Sequence, residues 1–382
     1  MGRKRRGQIK EHAENVFDLR IQPSKADGNR SGYFERFYGT RQEAEEHLAN
    51  CLIQLEQLEK HPERFKTVGE MYNDWLKVHR HEITEKTLED YQNVFRRYVS
   101  PALGETLMIE VRPAHIKQLY YQMQERGLSS QTVRKTHMPL KAAFNYFVQM
   151  EWLTANPCQS VKPPKFKPTR KQNILTLTEL QAIFAACRNV SEKALWMIGA
   201  FTGARPQEYL AARWKTVNLD NGTWEISEVV SELKGYKFVY KTPKTERSKR
   251  ILPLHPTLIE ALEQHRVSQI ELFSNAGWHW DDETLLFPSE ANTQMSNSNL
   301  NERFKRLLAR AKLEQKFFPY SLRHGFASHG LESGANLKDV SELLGHSSIR
   351  ITADTYAHVS NERKRHVVEL LGNEIIKERD GK

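Results

Sequence analysis

Cysteine is scarce in this chain. Only Cys51, Cys158 and Cys187 occur in 382 residues, odd in number and far apart. That usage excludes a disulfide framework and supplies no Cys-x-x-Cys metal site, so a reducing cytoplasm is the expected setting. Long apolar runs are also missing. None approaches the ~20 residues a membrane-spanning helix needs, and no membrane association is expected. The charged start Met1-Gly2-Arg3-Lys4-Arg5-Arg6 is not followed by an apolar segment, so no secretory signal is expected either. His324 and His329 invite a metal reading, but their spacing is not His-Glu-x-x-His and no carboxylate cluster accompanies them. Neither a metal nor another cofactor is expected. Internal repeats and low-complexity tracts are absent from the sequence.

What the chain has is length and positive charge. A chain of 382 residues suggests two or three domains. At 39% hydrophobic and 27% charged it can form soluble cores, and 57 Lys and Arg against 47 Asp and Glu leave +10. A polyanionic partner is implied, nucleic acid first, because neutralising phosphates releases counterions. Charge alone leaves the question open, since many ordinary enzymes are as basic.

Residues 1–62 read as a small β-β-α module. Val16–Ile21 alternates like a half-buried strand, Pro23 to Asn29 is rich in turn formers, and Gly32–Tyr38 is a second strand. Thr40-Arg41-Gln42-Glu43 has capping-box spacing and opens a helix to about Leu58. Arg3, Lys4, Arg5 and Arg6 either follow a DNA groove or form a basic tail.

Residues 67–155 read as four helices. Val68, Met71, Tyr72, Trp75 and Leu76 share one face of the first. The second starts near Thr84 and should stop before Pro101. The third begins at Arg112-Pro113, and the fourth runs from Ser129 to Trp152. The aromatics are expected in the core. Lys86, Arg96, Arg97, Arg134, Lys135 and Lys141 are candidate phosphate contacts, each with the alternative of a solvated charge. Residues 156–172 follow, with four prolines interleaved with Lys162, Lys165, Lys167, Arg170 and Lys171. Such a stretch is extended and basic, either a strap over a phosphate backbone, with Lys165 and Lys167 as its contacts, or a plain linker.

Residues 173–382 mix helix with a short sheet. Helices are expected from Thr176 and over Glu192–Phe201, and strands over Trp224–Val230, Phe238–Lys241 and Arg250–Leu254. Helices resume at Thr257, Ser298, Ser321, Asn336 and Ser360. The expected class is therefore α+β and multidomain, ending in a mixed α/β domain. Within it, five groups stand in a particular order. They are Thr202-Gly203-Ala204-Arg205, Lys244 before Ser248-Lys249-Arg250, Tyr320-Ser321-Leu322-Arg323-His324, Leu344-Gly345-His346 and Asp354-Thr355-Tyr356-Ala357-His358. Attack on a DNA phosphodiester needs a nucleophile, charge on two non-bridging oxygens and a proton for the departing oxygen. Arginine meets the second need with a planar fork that binds phosphate bidentately.

The order and wording of these groups resemble the tyrosine recombinases, the phage-integrase family, over roughly residues 173–382 and more loosely to the N-terminus. The resemblance implies that Arg205 and Arg323 bind the phosphate, that Lys244 (Lys241 as runner-up) protonates the leaving oxygen, and that His346 donates a hydrogen bond from a helix start. Tyr356 would be the nucleophile. Glu208, one turn after Arg205, could orient it or simply pair with it. The family's His-x-x-Arg appears here as Tyr320-x-x-Arg323. A phenol can donate to phosphate, but with a pKa of roughly 10 it is a poorer base than imidazole near neutral pH. His324 is read as structural, and it is also the nearest imidazole able to compensate. By the same resemblance the first module is an arm-type DNA-binding domain and the helical unit a core-binding domain. The partners implied are double-stranded DNA attachment sites, a homotetramer that exchanges its amphipathic C-terminal helix (Glu362 onward), and an excisionase or DNA-bending protein. A type IB topoisomerase shares the chemistry, and a DNA-binding regulator with a decayed site is the alternative from another class.

Overall fold

The computed structural model describes residues 7–21, 33–60, 65–165, 174–243, 248–355 and 368–369. The chain divides into two compact units, residues 1–167 and residues 168–382.

The first unit opens with a sheet of β1 (Gly7–Ala13), β2 (Val16–Ile21) and β3 (Tyr33–Tyr38), antiparallel in that order, followed by α1 (Arg41–Lys60). The module thus has three strands where two were expected. Gly7–Ala13 lacks an apolar alternation of its own and is recruited by pairing along the whole of β2, from Gly7 opposite Ile21 to Ala13 opposite Val16. Phe17, Leu19 and Ile21 face Ala44 and Leu48 of α1 in a small core. The expected capping box is present, with the Thr40 N–H and hydroxyl both donating to Glu43.

The helical part comprises α2 (Val68–His79), α3 (Glu85–Val94), α4 (Ser100–Leu103), α5 (Pro113–Glu125) and α6 (Ser130–Gln149). All five apolar residues of the α2 stripe are buried, and the aromatics Tyr72, Trp75, Phe95, Tyr120, Phe144 and Phe147 lie in one core. The second expected helix does not stop before Pro101. A π-helical turn over Phe95–Val99 joins α3 to α4, and the Ser100 N–H bonds back to the Phe95 carbonyl. Widening the turn there moves backbone carbonyls away from the proline ring, which a regular α-helix would bring into collision. The last helix ends at Gln149, not Trp152, where Glu151 turns the chain at φ +61°. Beyond it the Asn156 side chain accepts from the Cys158 N–H, and Cys158 is fully buried in the helical core.

In the second unit α7 (Leu177–Ala185) leads to α8 (Val190–Thr202), whose Ala194, Leu195, Trp196, Met197 and Ile198 are all buried. A helix apolar on every side belongs in the middle, and α8 lies under later helices. After α9 (Pro206–Tyr209) come β4 (Val217–Asn218), β5 (Thr223–Ile226), β6 (Val229–Leu233), β7 (Lys237–Lys241) and β8 (Arg250–Pro253). The strand expected over Trp224–Val230 is two strands. Its first part pairs with β8 in the sheet β4-β5-β8, and its second part pairs with β7 in a separate hairpin, so the chain must break between Ile226 and Val229. Next are α10 (Pro256–Ala276), α11 (Asn297–Arg310), α12 (Tyr320–Glu332), α13 (Leu337–Leu344) and α14 (Ile349–Thr355). Neither α9 nor α14 was expected. The helix expected from Ser360, the catalytic candidates Lys244 and Tyr356, and Arg3, Lys4, Arg5, Arg6 and Lys167 lie outside the described residues. Among the described residues no helix is long and apolar enough to cross a membrane.

Candidate active site

Two helix ends build the floor of the site. α8 closes on Gly203 at φ +64° and α13 on Gly345 at φ +63°, both left-handed, a conformation that glycine adopts without the Cβ clash. Space requires glycine there as well. A Cβ on Gly203 would stand 2.4 Å from the Phe326 ring, and one on Gly345 would stand 2.7 Å from the Arg250 guanidinium. The carbonyls at these two turns are the acceptors around which the arginines assemble.

Arg323, in the first turn of α12, is almost wholly buried. It donates to the Gly203 carbonyl at 2.8 Å and to the Leu344 carbonyl at 2.8 Å, tying the two turns together. Burial, and then the charge of Arg205, push its pKa down to about 10, so it keeps its charge at neutral pH. Arg205 caps α9 and donates to Glu208 at 2.8 Å and to the Gly345 carbonyl at 3.1 Å. Of the five N–H groups on each guanidinium, two are bonded among the described residues, and a guanidinium has further donors to offer an oxyanion.

Glu208 is 1% exposed and carries more than the single pairing expected of it. It accepts from the Arg205 backbone N–H at 2.7 Å, from the Arg205 side chain, and from both terminal nitrogens of Arg250 at 3.1 and 2.9 Å. Burial would raise its pKa, but hydrogen bonds and charge from Arg250, with the charge of Arg205, hold it below the usual carboxylate range. Arg250 on β8 also donates to the Leu343 carbonyl at 2.6 Å. Sequence reasoning passed over Arg250 except as the end of a Ser-x-Arg string. Three guanidinium groups against one carboxylate leave positive charge in excess, as a pocket for a phosphate requires.

His346 follows the end of α13, its N–H bonded to the Ser341 carbonyl, and α14 starts only at Ile349. It therefore closes one helix and does not open another, contrary to expectation. In that turn His346 Nδ1 lies 2.7 Å from the hydroxyl of the buried Thr352 on α14. With that hydroxyl donating, Nε2 carries the proton and becomes the outward donor. Burial, then the charges of Arg323, Arg205 and Arg250, push the His346 pKa down to about 4, so the ring is neutral at physiological pH.

Tyr320 opens α12, one turn before Arg323, whose guanidinium lies 5.9 Å from the Tyr320 ring centre. His324 meets the Tyr320 ring edge-on at 5.1 Å, and burial followed by the Arg323 charge lowers its pKa. His329 is held by the Leu175 carbonyl and Glu332. Lys241 ends β7 opposite Val229.

The DNA-contact candidates divide. Lys86 is engaged by Glu89 at 2.9 Å and Asp90 at 3.4 Å, whereas Arg96, Arg97, Arg134, Lys135 and Lys165 are exposed and Lys141 is half-buried. On the N-terminal sheet, the face away from α1 presents Lys10, Arg20, Phe34, Arg36 and Tyr38. Arg20 lies over the Phe34 ring at 5.4 Å, and Arg36 bonds Asp18. The alternation of Phe34, Arg36 and Tyr38 along β3 was the available signal for that basic, aromatic face.

Comparison with known proteins decides the family. Residues 173–363 match the profile of the phage integrase family, and residues 67–124 match that family's N-terminal SAM-like domain. A tyrosine recombinase XerC-like protein of Caldanaerobacter subterraneus subsp. tengcongensis is 30% identical over 329 residues, covering 81% of this chain and 84% of that protein. This chain belongs to the phage integrase family of tyrosine recombinases. As a member it is an enzyme of DNA recombination and integration. The fold agrees with solved integrases. The Tn1549 transposon integrase in complex with a circular intermediate DNA matches with a TM-score of 0.69 at 22% identity, covering 80% of this chain and 99% of that one. A lambda integrase tetramer bound to a Holliday junction matches with a TM-score of 0.58 at 14% identity, covering 89% of this chain and 95% of that one.

Proposed function

We propose that this integrase cuts and rejoins double-stranded DNA at specific attachment sites through a 3′-phosphotyrosyl intermediate on Tyr356. The observation that carries the proposal is the convergence of Arg205, Arg323 and His346 on the two turns at Gly203 and Gly345, with Glu208 and Arg250 fixing their positions. The arginines take the two non-bridging oxygens of the scissile phosphate, and the neutral His346 ring donates from Nε2. Negative charge grows on those oxygens as the Tyr356 oxygen bonds to phosphorus and the 5′ oxygen leaves, so these donors bind the transition state more strongly than the ground state. Lys244 supplies the proton to the leaving oxygen. Tyr320 adds a donor to the same phosphate, and His324 against its ring is the nearest group able to accept the nucleophile's proton. The 5′-hydroxyl of a partner strand then attacks the phosphotyrosyl bond, restoring the DNA backbone and the tyrosine. Bond energy is conserved at each step, and two such rounds pass through a four-way junction.

In this reading residues 1–62 bind arm-type sites through the exposed sheet face and the basic start, residues 67–155 bind the core site, and residues 156–172, which lead into the catalytic domain, strap the phosphate backbone. Arg96, Arg97, Arg134, Lys135, Lys141 and Lys165 serve as phosphate contacts. Catalysis takes place in a tetramer on DNA joined by C-terminal helices, with an excisionase or a DNA-bending protein setting direction, inside the cytoplasm of the host cell.

The test pairs two labelled duplexes carrying attachment sites and looks for a four-way junction and then recombinant strands. Junctions and recombinants that vanish in Tyr356→Phe support the reading. Relaxation of supercoils without either product would replace it with a topoisomerase, and binding without strand breakage with a DNA-binding regulator.

A further inference from the structure

Within the N-terminal module three metal-binding side chains come to one point. Glu35 is on β3, and His47 and Cys51 are one turn apart on α1. Their donor atoms all lie within 4.8 Å of one another. His47 Nε2 is 3.0 Å from Glu35 Oε2 and 3.7 Å from Cys51 Sγ. Zinc bonds of about 2.0 Å to nitrogen and oxygen and about 2.3 Å to sulfur, set at tetrahedral angles, require donor separations of roughly 3.3–3.6 Å. The two edges at His47 bracket that range, and the Glu35–Cys51 edge lies within 4.8 Å, so small side-chain shifts bring all three donors to it. The Phe37 ring stacks on His47 at 5.1 Å and fixes the imidazole plane.

We propose that Glu35, His47 and Cys51 form a Zn(II) site that ties strand β3 to helix α1. A hydrogen-bonded Glu35–His47 pair accounts for one contact only. Both neighbours address the same ring nitrogen, and a single proton on Nε2 cannot serve the carboxylate and the sulfur well together. A metal ion accepts a lone pair from all three. Thiolate, carboxylate and neutral imidazole around a divalent ion sum to zero charge, which suits a half-buried position. Water completes the tetrahedron at a site whose Glu35 and His47 side chains are 37% and 38% exposed. The benefit follows from the size of the module. Phe17, Leu19, Ile21, Ala44 and Leu48 are the whole of its buried apolar cluster among the described residues, and cores this small are commonly reinforced by a metal. The tie would hold the sheet whose opposite face carries Lys10, Arg20 and Arg36. The inference stands apart from the recombination chemistry and does not depend on it.

The test uses the full-length protein, reduced and stripped of metal. Co(II) should bind in a one-to-one ratio with visible bands of tetrahedral cobalt and a near-ultraviolet thiolate-to-cobalt band, and Zn(II) should bleach both. Cys51→Ala should abolish the thiolate band and Cys187→Ala should keep it. In the unmodified protein, Zn(II) should slow alkylation of Cys51 at least roughly tenfold, because a metal-bound thiolate is a poor nucleophile. That measurement needs no variant to fold. Absence of a thiolate band, its survival in Cys51→Ala, or equal alkylation rates with and without Zn(II) would each overturn the proposal.

Discussion

Replacing Glu208 with alanine tests the internal logic of the site. The carboxylate is 1% exposed and is the only acid among the described residues bonded to Arg205 and Arg250 at once. Arg250, with 8% of its side chain exposed, would be left with carbonyl partners but no counter-charge. Removing one partner of a buried ion pair costs about 3–5 kcal/mol, much of it from the stranded charge. For a unit of this size each kcal/mol moves the melting temperature by roughly 2–4 °C, so the catalytic unit should melt on the order of 10 °C lower. Removing Arg250 as well relieves the stranded charge. The double variant Glu208→Ala/Arg250→Ala should therefore lose less than the two single losses combined, with a coupling of about 2 kcal/mol or more. The assay is thermal unfolding of the four proteins, with covalent capture of a nicked attachment-site duplex followed alongside. Glu208→Ala should also lose capture at temperatures where it is still folded, because Arg205 is no longer aimed. A shift of only a degree or two, or additive losses in the double variant, would refute the reasoning.

Other consequences can be checked separately. Gly345→Ala places a methyl group 2.7 Å from the Arg250 guanidinium at a left-handed position, so covalent capture should fall by at least tenfold while duplex binding and its salt dependence are retained. His346 is held neutral in the folded protein, with its pKa pushed down to about 4 against about 6.5 in an unfolded chain. The unfolded state therefore takes up the proton first as pH falls. Stability from this group is complete above about pH 6.5 and is lost towards pH 4. His346→Asn should flatten the melting-temperature profile over that window, and an unchanged profile would remove His346 as a cause. Tyr320→His restores an imidazole beside Arg323 and should speed capture near neutral pH. A slower variant would mean that the phenol's hydrogen bond to the phosphate is what position 320 contributes and that His324 needs no second imidazole beside it.

Much of this arrangement could be read from local sequence, because helix ends and turns leave local marks. Arg205 and Arg323 could be singled out by the resemblance of their neighbours to the family's motifs, though Arg205 and the Gly345 carbonyl it bonds are 140 positions apart, and Leu344-Gly345-His346 reads as a helix start where it ends one. Arg250 left no such mark. It stands in a run of basic residues, and what singles it out is Glu208, 42 positions away, a pairing visible only in three dimensions. β1 was missed for a similar reason, since Gln8, Lys10 and His12 carry no apolar rhythm and their strand exists through β2. The α9 helix is four residues long, too short for any period to register. His47 and Cys51 show their shared helix face in the sequence, but Glu35 reaches them across the fold. The π-turn before Pro101 illustrates a proline accommodated by the turn ahead of it, which a rule that ends helices at proline does not anticipate.

The central claim is metal-free cleavage by Tyr356, and one measurement addresses it directly. A nicked core-site duplex that releases the short fragment bearing the new 5′-hydroxyl on cutting is incubated with the protein in excess chelator, the mixture is denatured, and any protein–DNA adduct is digested and sequenced by mass spectrometry. The account predicts an adduct through a 3′-phosphate on the peptide containing Tyr356, absent in Tyr356→Phe and undiminished by the chelator. An adduct on another residue, or cleavage that requires an added divalent metal, would contradict it.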